Sequence, residues 1–329
     1  MIRRREFITL LGGATVWPLA ASAQQGERVR RVGVLTAIGE SDPEAQLRMG
    51  AFREGLQKLG WAEGRNLHID YRWGEGSIER TGTYAAELVA LNLDVIFAAP
   101  AAAAVALHRK TRTIPVVFAQ VPDPVGLGLV ESFSRPGGNI TGFALFEYAI
   151  GLKWLELLKQ IAPNVSRVGI LYDPEQPTSP GYITTIEAAA PSLRVDVLPH
   201  PVRDAEGIVR AVETLVAEPN GGLILPPGAL VVAHRDLIIS LAARHRLPSV
   251  FPFRYQVAGG GLASYGVDTL DLYQRAAGYV HRVLKGEAPA TLPVQFADKF
   301  ELVINLKTAK ALGLDVPVSL LARTDEVIE

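Results

Sequence analysis

The chain has 329 residues, with 33 basic against 34 acidic side chains, and so presents no electrostatic footprint for nucleic acid. It contains no cysteine, which rules out disulfides as a source of stability and thiolate-held zinc or iron–sulfur centres. Its six histidines show no metal-ligand spacing, so neither a metal nor another cofactor is expected.

Residues 1–23 read as an address. Arg3-Arg4-Arg5 precedes Glu6-Phe7-Ile8, an apolar run through Leu10, Leu11, Val16, Trp17 and Leu19 follows, and Ala21-Ser22-Ala23 offers a small-x-small cleavage site. The pattern resembles a twin-arginine export signal, cut after Ala23. Gly12, Gly13 and Pro18 interrupt a run already short for a membrane span, which argues against a retained anchor. The remaining roughly 300 residues suffice for two domains, and no later apolar stretch reaches transmembrane length without charges. A soluble exported protein with no cysteine to acylate stays near its cell only inside an outer membrane, so a periplasmic location is expected.

In chain order, Val32 to Leu35 predicts a buried strand, and Asp42-Pro43 opens a helix with Leu47, Ala51, Phe52, Leu56 and Leu59 at helical spacing up to Gly60. Strand Leu67 to Tyr71, helix Glu79 to Leu91, strand Val95 to Phe97, an Ala-rich helix from Ala101, and strand Val116 to Phe118 follow. Strand Ile140 to Phe143 then leads into a helix around Trp154 to Leu158, where a first passage between lobes is expected. The second lobe runs strand Val168 to Tyr172, helix Thr184 to Ala190, strand Val195 to Leu198, helix Ala205 to Ala217, strand Leu223 to Leu225, helix Val231 to Arg244 and strand Ser249 to Phe251. A Gly-flanked strand, Leu262 to Gly266, suits a second crossing into a helix from Leu270 to Leu284; a third is expected near Leu292 to Phe296, before a last strand and helix in Leu302 to Leu312.

Strands alternating with helices at this pitch predict an α/β fold of doubly wound parallel sheets. Two echoes predict that the unit occurs twice. Arg31-Val-Gly-Val-Leu35 returns as Arg167-Val-Gly-Ile-Leu171, and Ile114-Pro-Val-Val-Phe118 as Leu247-Pro-Ser-Val-Phe251, offset by 136 positions (31 to 167) and 133 (114 to 247). The expected division is an N-terminal lobe of 28–142 plus about 266–292 and a C-terminal lobe of 143–265 plus about 293–329, joined by a three-crossing hinge.

A cleft between two such lobes is where a small ligand would bind, at the carboxyl ends of the strands. The candidates are the loops Thr36-Ala37 after the first strand, Ala98 to Ala101 (with Ala99 and Pro100) after the third, Val121-Pro-Asp123-Pro124 after the fourth, Asp173-Pro-Glu-Gln176 and Pro226-Pro-Gly228 in the second lobe, and Tyr265 and Asp268 at the hinge. Small residues at Ala98 to Ala104 let an anion approach free backbone N–H groups at a helix start. Asp123 or Asp173 could pair with a ligand ammonium, or could equally cap a turn. On that reading Asp123→Ala weakens binding more than Asp315→Ala. Phe251 and Tyr265 could be flat walls, although core packing is the default for Phe251. Trp73 is either a lid residue or a loop anchor. No Gly-x-Ser-x-Gly elbow, His-Glu-x-x-His, Walker loop or post-strand Gly-x-Gly-x-x-Gly is present, which lowers the expectation of an enzyme.

Several stretches resemble the ABC-transporter substrate-binding family, in the branch that includes tryptophan and tyrosine binders. They are Arg3-Arg-Arg-Glu-Phe-Ile-Thr-Leu-Leu-Gly-Gly13, Ile114-Pro-Val-Val-Phe118 with Asp123-Pro-Val-Gly126, and Arg135-Pro-Gly-Gly-Asn-Ile-Thr-Gly142. His234-Arg-Asp-Leu-Ile-Ile239, Ala242-Ala-Arg-His-Arg-Leu-Pro248, Gly260-Gly-Leu-Ala-Ser-Tyr-Gly266, Leu302-Val-Ile-Asn-Leu-Lys-Thr-Ala-Lys-Ala-Leu-Gly-Leu314 and Asp325-Glu-Val-Ile-Glu329 also match. The resemblance implies a type I periplasmic-binding fold that closes on one small ligand, an amino acid or small carboxylate, and delivers it to a membrane permease driven by an ATPase. It suggests Thr36, Ala99 to Ala101, Asp123, Asp173 and Tyr265 as contacts by position, while the small, uncharged Gly228-Ala229 sits where a polar contact would be expected. A monomer suits such closure. The alternatives are a receptor signalling to a kinase and an exported enzyme.

Overall fold

A computed structural model describes residues 28–329; the expected export signal lies outside them. The first sheet contains β1 (Arg30–Thr36), β2 (Leu67–Trp73), β3 (Val95–Ala99), β4 (Val116–Val121) and β5 (Ile140–Ala144). The second contains β6 (Arg167–Tyr172), β7 (Asp196–Pro201), β8 (Gly221–Ile224), β9 (Ser249–Phe251) and β10 (Ala263–Val267). Two-residue β11 (Gln295–Phe296) extends the first sheet; β12 (Phe300–Asn305) and β13 (Glu326–Ile328) extend the second. The orders are β11-β5-β4-β3-β1-β2 and β13-β12-β10-β9-β8-β6-β7, parallel throughout except for β10 against β12.

Strand for strand, β1 to β5 repeat as β6 to β10. The first echo occupies β1 and β6, and the second enters β4 and β9. The echo has a local cause. Gly33 and Gly169 lie where a Cβ would press on Leu93 Cδ1 (2.5 Å) and Leu215 Cδ2 (2.8 Å), so each glycine lets a covering leucine lie on the sheet. Arg31 donates to the Leu91 carbonyl at 3.0 Å and Arg167 to the Leu215 carbonyl at 3.4 Å, each binding a free carbonyl at the end of a covering helix.

Both sheets carry helices on both faces. On the first, α1 (Pro43–Lys58) packs with α10 (Thr269–Leu284), while α2 (Ile78–Ala90) and α3 (Ala101–Lys110) cover the other side. On the second, α4 (Ile150–Ile161) and α5 (Ser179–Leu193) lie opposite α6 (Ala205–Val216) and α8 (Arg235–Arg244). Short α7 (Ala229–Ala233) and α9 (Arg254–Ala258) follow β8 and β9; a 3-10 turn spans Pro289–Thr291, and α11 (Leu306–Leu312) and α12 (Val318–Leu321) end the chain. The Asp42 carboxylate accepts from Ala45 N (3.0 Å), the cap that the Asp-Pro pair predicts. The face of α1 is turned from the one expected. Ala45, Arg48, Met49, Phe52, Gly55 and Leu56 are buried, while Leu47 and Leu59 are exposed, because Gly55 lets α10 approach: a Cβ there would meet Ala277 Cβ at 2.7 Å.

Three passages join the lobes, at residues 145–149, at 268 and at 297–299. Residues 293–296, expected in the second lobe, run with the first, where Gln295 and Phe296 pair with β5. The single helix expected over Val231 to Arg244 is two, broken at His234, whose φ and ψ of −105° and 18° leave the helical region.

Candidate functional site

The carboxyl ends of β1, β3 and β4 face those of β6, β8 and β9 across a cleft. The cavity there is narrow, with about 30 Å³ free for solvent, room for a water molecule or two, inside about 390 Å³ of atom-free space that includes its open mouth. The first lobe contributes Ile38, Arg48, Pro100, Gln120 and Pro122, and the first passage adds Leu145. The second contributes Gln176, Thr178, Pro227, Gly228, Ala229, Val232 and Phe253. The surround is apolar, with two amides, one hydroxyl and one guanidinium.

The backbone delivers these groups at helix starts and strand ends. Pro100, after a cis Ala99–Pro100 bond, is the N-cap of α3, and Thr178 is the N-cap of α5; neither helix has a side-chain cap. Gln120 holds a left-handed backbone at the end of β4 (φ 59°), and its Oε1 accepts from the Tyr273 hydroxyl of α10 at 3.0 Å. Gln176 Nε2 lies 3.5 Å from Thr178 Oγ1.

Arg48 enters from α1 and is 1% exposed. Its guanidinium sits 5.8 Å from the Phe253 ring centre and 5.3 Å from that of Tyr255, both in the opposite lobe. Its Nε and Nη2 are buried without hydrogen-bond partners, as is the Tyr255 hydroxyl. Among the described residues, no carboxylate lies within ion-pair distance of it. The nearby acids are otherwise placed. Asp42 pairs with Arg235 of the second lobe, and Glu44 is half-buried, its pKa pushed up by burial against the opposing pull of Arg48 and Arg235. Two small apolar clusters also span the cleft, Ala37, Ala102 and Ile78 with Ala229, and Ile38, Ala45 and Trp73 with Val232. Trp73 is therefore at the rim, stacked on Tyr71.

Of the residues in the loops expected at the site, Pro100, Pro122, Gln176, Pro227 and Gly228 line the cavity. Thr36, Ala99 and Ala101 are buried beside it, and the Thr36 hydroxyl oxygen accepts from Ile38 N. Pro226 is buried next to the lining Pro227. The others lie elsewhere. Asp123 closes a turn by accepting from Gly126 N at 2.8 Å, and Asp173 accepts from Glu175 N at 2.9 Å in an outer groove with Glu75 and Arg203. Asp268 caps α10, accepting from Leu270 and Asp271. Phe251 is not a wall: fully buried in the second lobe's core, it packs where Gly261 leaves room. Tyr265 stacks on Phe300 at the hinge, and its carbonyl accepts from Trp154 Nε1 at 2.7 Å. Arg48, Gln120 and Phe253 were not expected at the site. Only Arg48 leaves a trace in the sequence, as a charge between Ala45, Met49 and Phe52 on one helical face.

The substrate-binding protein model of ABC transporters matches residues 31–328. The chain belongs to the ABC transporter substrate-binding protein family. As a member it serves a small-molecule ligand and a membrane permease, in a family that acts outside the cytoplasm and binds rather than transforms its solutes. A tyrosine-binding protein of Clostridioides difficile is 28% identical over 263 residues, 80% of this chain and 75% of that protein. A solved domain from Streptococcus pneumoniae in complex with L-Trp is 29% identical, with a TM-score of 0.82 over 91% of this substrate-binding protein and 99% of that chain. A ligand-free, open substrate-binding protein with adhesive properties from Clostridium difficile is 25% identical, with a TM-score of 0.64 over 91% and 99%.

Proposed function

We propose that this protein is the periplasmic receptor of an ABC importer for a small carboxylate-bearing solute with an apolar body, either an amino acid or a simpler organic acid. The observation that carries the reading is the inter-lobe cavity, walled by Ile38, Leu145, Val232, Phe253 and three prolines and entered by a single buried guanidinium. The names of the tyrosine-binding and L-Trp-bound relatives support the solute class. The lobes are drawn together, in keeping with the higher TM-score to the L-Trp complex than to the ligand-free, open relative. Export through the twin-arginine route, cleavage after Ala23 and a monomeric receptor without catalytic activity complete the proposal.

An open form takes ligand on one lobe, and contacts from the second, available only on closure, shift the population to the closed form that the permease meets. The test is thermal unfolding of residues 24–329, refolded to remove carried-over solute, against amino acids, aromatic and aliphatic acids, sugars and polyamines. A true ligand at about 1,000 times its Kd stabilises the fold by roughly 4 kcal/mol, a shift on the order of 10 °C. A large shift with one carboxylate class, the compound recovered unchanged, supports the reading. Silence across the whole panel, or conversion of the compound, opposes it.

A further inference from the structure

Among the described residues, Arg48 is the only charged side chain on the cavity wall, and no carboxylate lies within ion-pair distance of it. Its Nε and Nη2 make no hydrogen bond at 1% exposure. The Tyr255 and Tyr273 hydroxyls and the Glu44 carboxylate act on its charge without forming an ion pair, so the buried guanidinium still gains by meeting an anion from outside the chain. Its fork geometry matches a carboxylate. The starts of α3 and α5, ten and fifteen residues long, open on the same cavity through Pro100 and Thr178 without side-chain caps, adding positive potential of the same sign. Gln120, whose Oε1 accepts from Tyr273, has two amide N–H groups to offer an anion.

An amino acid would bring an ammonium along with its carboxylate. Among the described residues, no Asp or Glu lines the cavity. Asp123 and Asp173, the acids best placed in sequence, are held in turns, and Asp42 is engaged by Arg235. Half-buried Glu44 lies near Arg48 but does not line the cavity, so on the wall itself an ammonium would exchange water for neutral oxygens only.

Resting on the receptor reading above, we infer that the cleft selects net anionic ligands: a monocarboxylate with an apolar or aromatic body and no α-ammonium, its carboxylate paired with Arg48. Charge balance, more than side-chain shape, then sets specificity. The occupied, closed protein buries one ion pair instead of one lone cation.

Calorimetric titration of the refolded protein with hydrocinnamate, L-phenylalanine and hydrocinnamamide separates the contributions, since the three share one aromatic body. Hydrocinnamate is expected to bind at least tenfold more tightly than L-phenylalanine, and more tightly than the amide. In Arg48→Met the acid is expected to lose about 100-fold or more in affinity, and its advantage over the amide to vanish. The melting temperature of the empty variant is expected to hold or rise, because the lone buried cation is gone. If Arg48 merely braced Phe253 and Tyr255 across the cleft, acid and amide would weaken together, and the inference would fall. Equal or tighter binding of L-phenylalanine, L-tyrosine or L-tryptophan would also overturn it while leaving a receptor of amino acids. If none of these compounds binds but a sugar or polyol does, the anion site is refuted and the receptor reading survives for a neutral solute.

Discussion

Gly266 lies so close to the end of β9 that a Cβ there would run into the Pro252 carbonyl oxygen, a backbone atom that cannot turn aside. Gly142 on β5 is similarly placed against the Phe118 carbonyl and adds a φ of 154° that side chains rarely adopt. Both glycines stand at lobe crossings, so strain there would reach the hinge. Gly266→Ala is expected to cost at least about 1–3 kcal/mol, read as a lower urea midpoint with the m-value unchanged. Asp123 has a smaller part. Its carboxylate bridges a turn in solvent, so Asp123→Ala is expected to cost about 1 kcal/mol of stability while changing hydrocinnamate affinity far less than Arg48→Met. An equal loss of affinity in the two variants would return Asp123 to the site. Residues of this kind explain why the site was only partly legible in the sequence. Pro100, Pro122, Gln176, Pro227 and Gly228 follow from the rule that ligands meet strand ends. That rule cannot tell a turn aspartate from one facing the cleft, since both occupy the same loop.

Elements were more legible, because periodicity and caps are local. The Asp42-Pro43 start of α1, the strand at Ser249–Phe251 and the Arg–Val–Gly echo of β1 and β6 all appear where sequence places them. What sequence lacked was the partner of each face. The burial of Arg48 in place of Leu47 depends on α10, more than 200 positions away, meeting Gly55. One element carries a pH signature. His200 on edge strand β7 has a buried, unpartnered Nε2, and burial, with Arg167 second, pushes its pKa below the ordinary value. Above about pH 6.5 the ring is neutral whether folded or not and contributes nothing to the pH dependence. As pH falls through that value, the unfolded chain takes up the proton first, so stability drops. His200→Gln is therefore expected to flatten part of the loss of melting temperature between about pH 7 and 5. Parallel curves for variant and parent would show that the ring is solvated in the native state.

At the scale of the whole molecule, closure is a balance between hinge freedom and the contacts that cross the cleft. Two alanine-and-isoleucine patches are small and contribute little direction. The Arg235–Asp42 pair is different: both side chains are largely buried (15% and 11% exposed), and they belong to opposite lobes. In an open form each would be hydrated, so the pair acts on the closed state alone. Asp42 also caps α1, which makes Arg235 the cleaner position to change. Arg235→Gln leaves the cap intact and removes the charge that crosses the cleft. The loss assigned to closure is about 1–2 kcal/mol, which weakens ligand binding by about 5–30-fold. Because the pair touches no ligand, that loss should be the same for hydrocinnamate and its amide, unlike the selective loss expected at Arg48. Small-angle scattering of the empty protein should show a larger radius of gyration in the variant, and saturating ligand should restore the parent's value. A variant with unchanged affinity and unchanged dimensions would mean that the hinge and the ligand alone set the closed geometry.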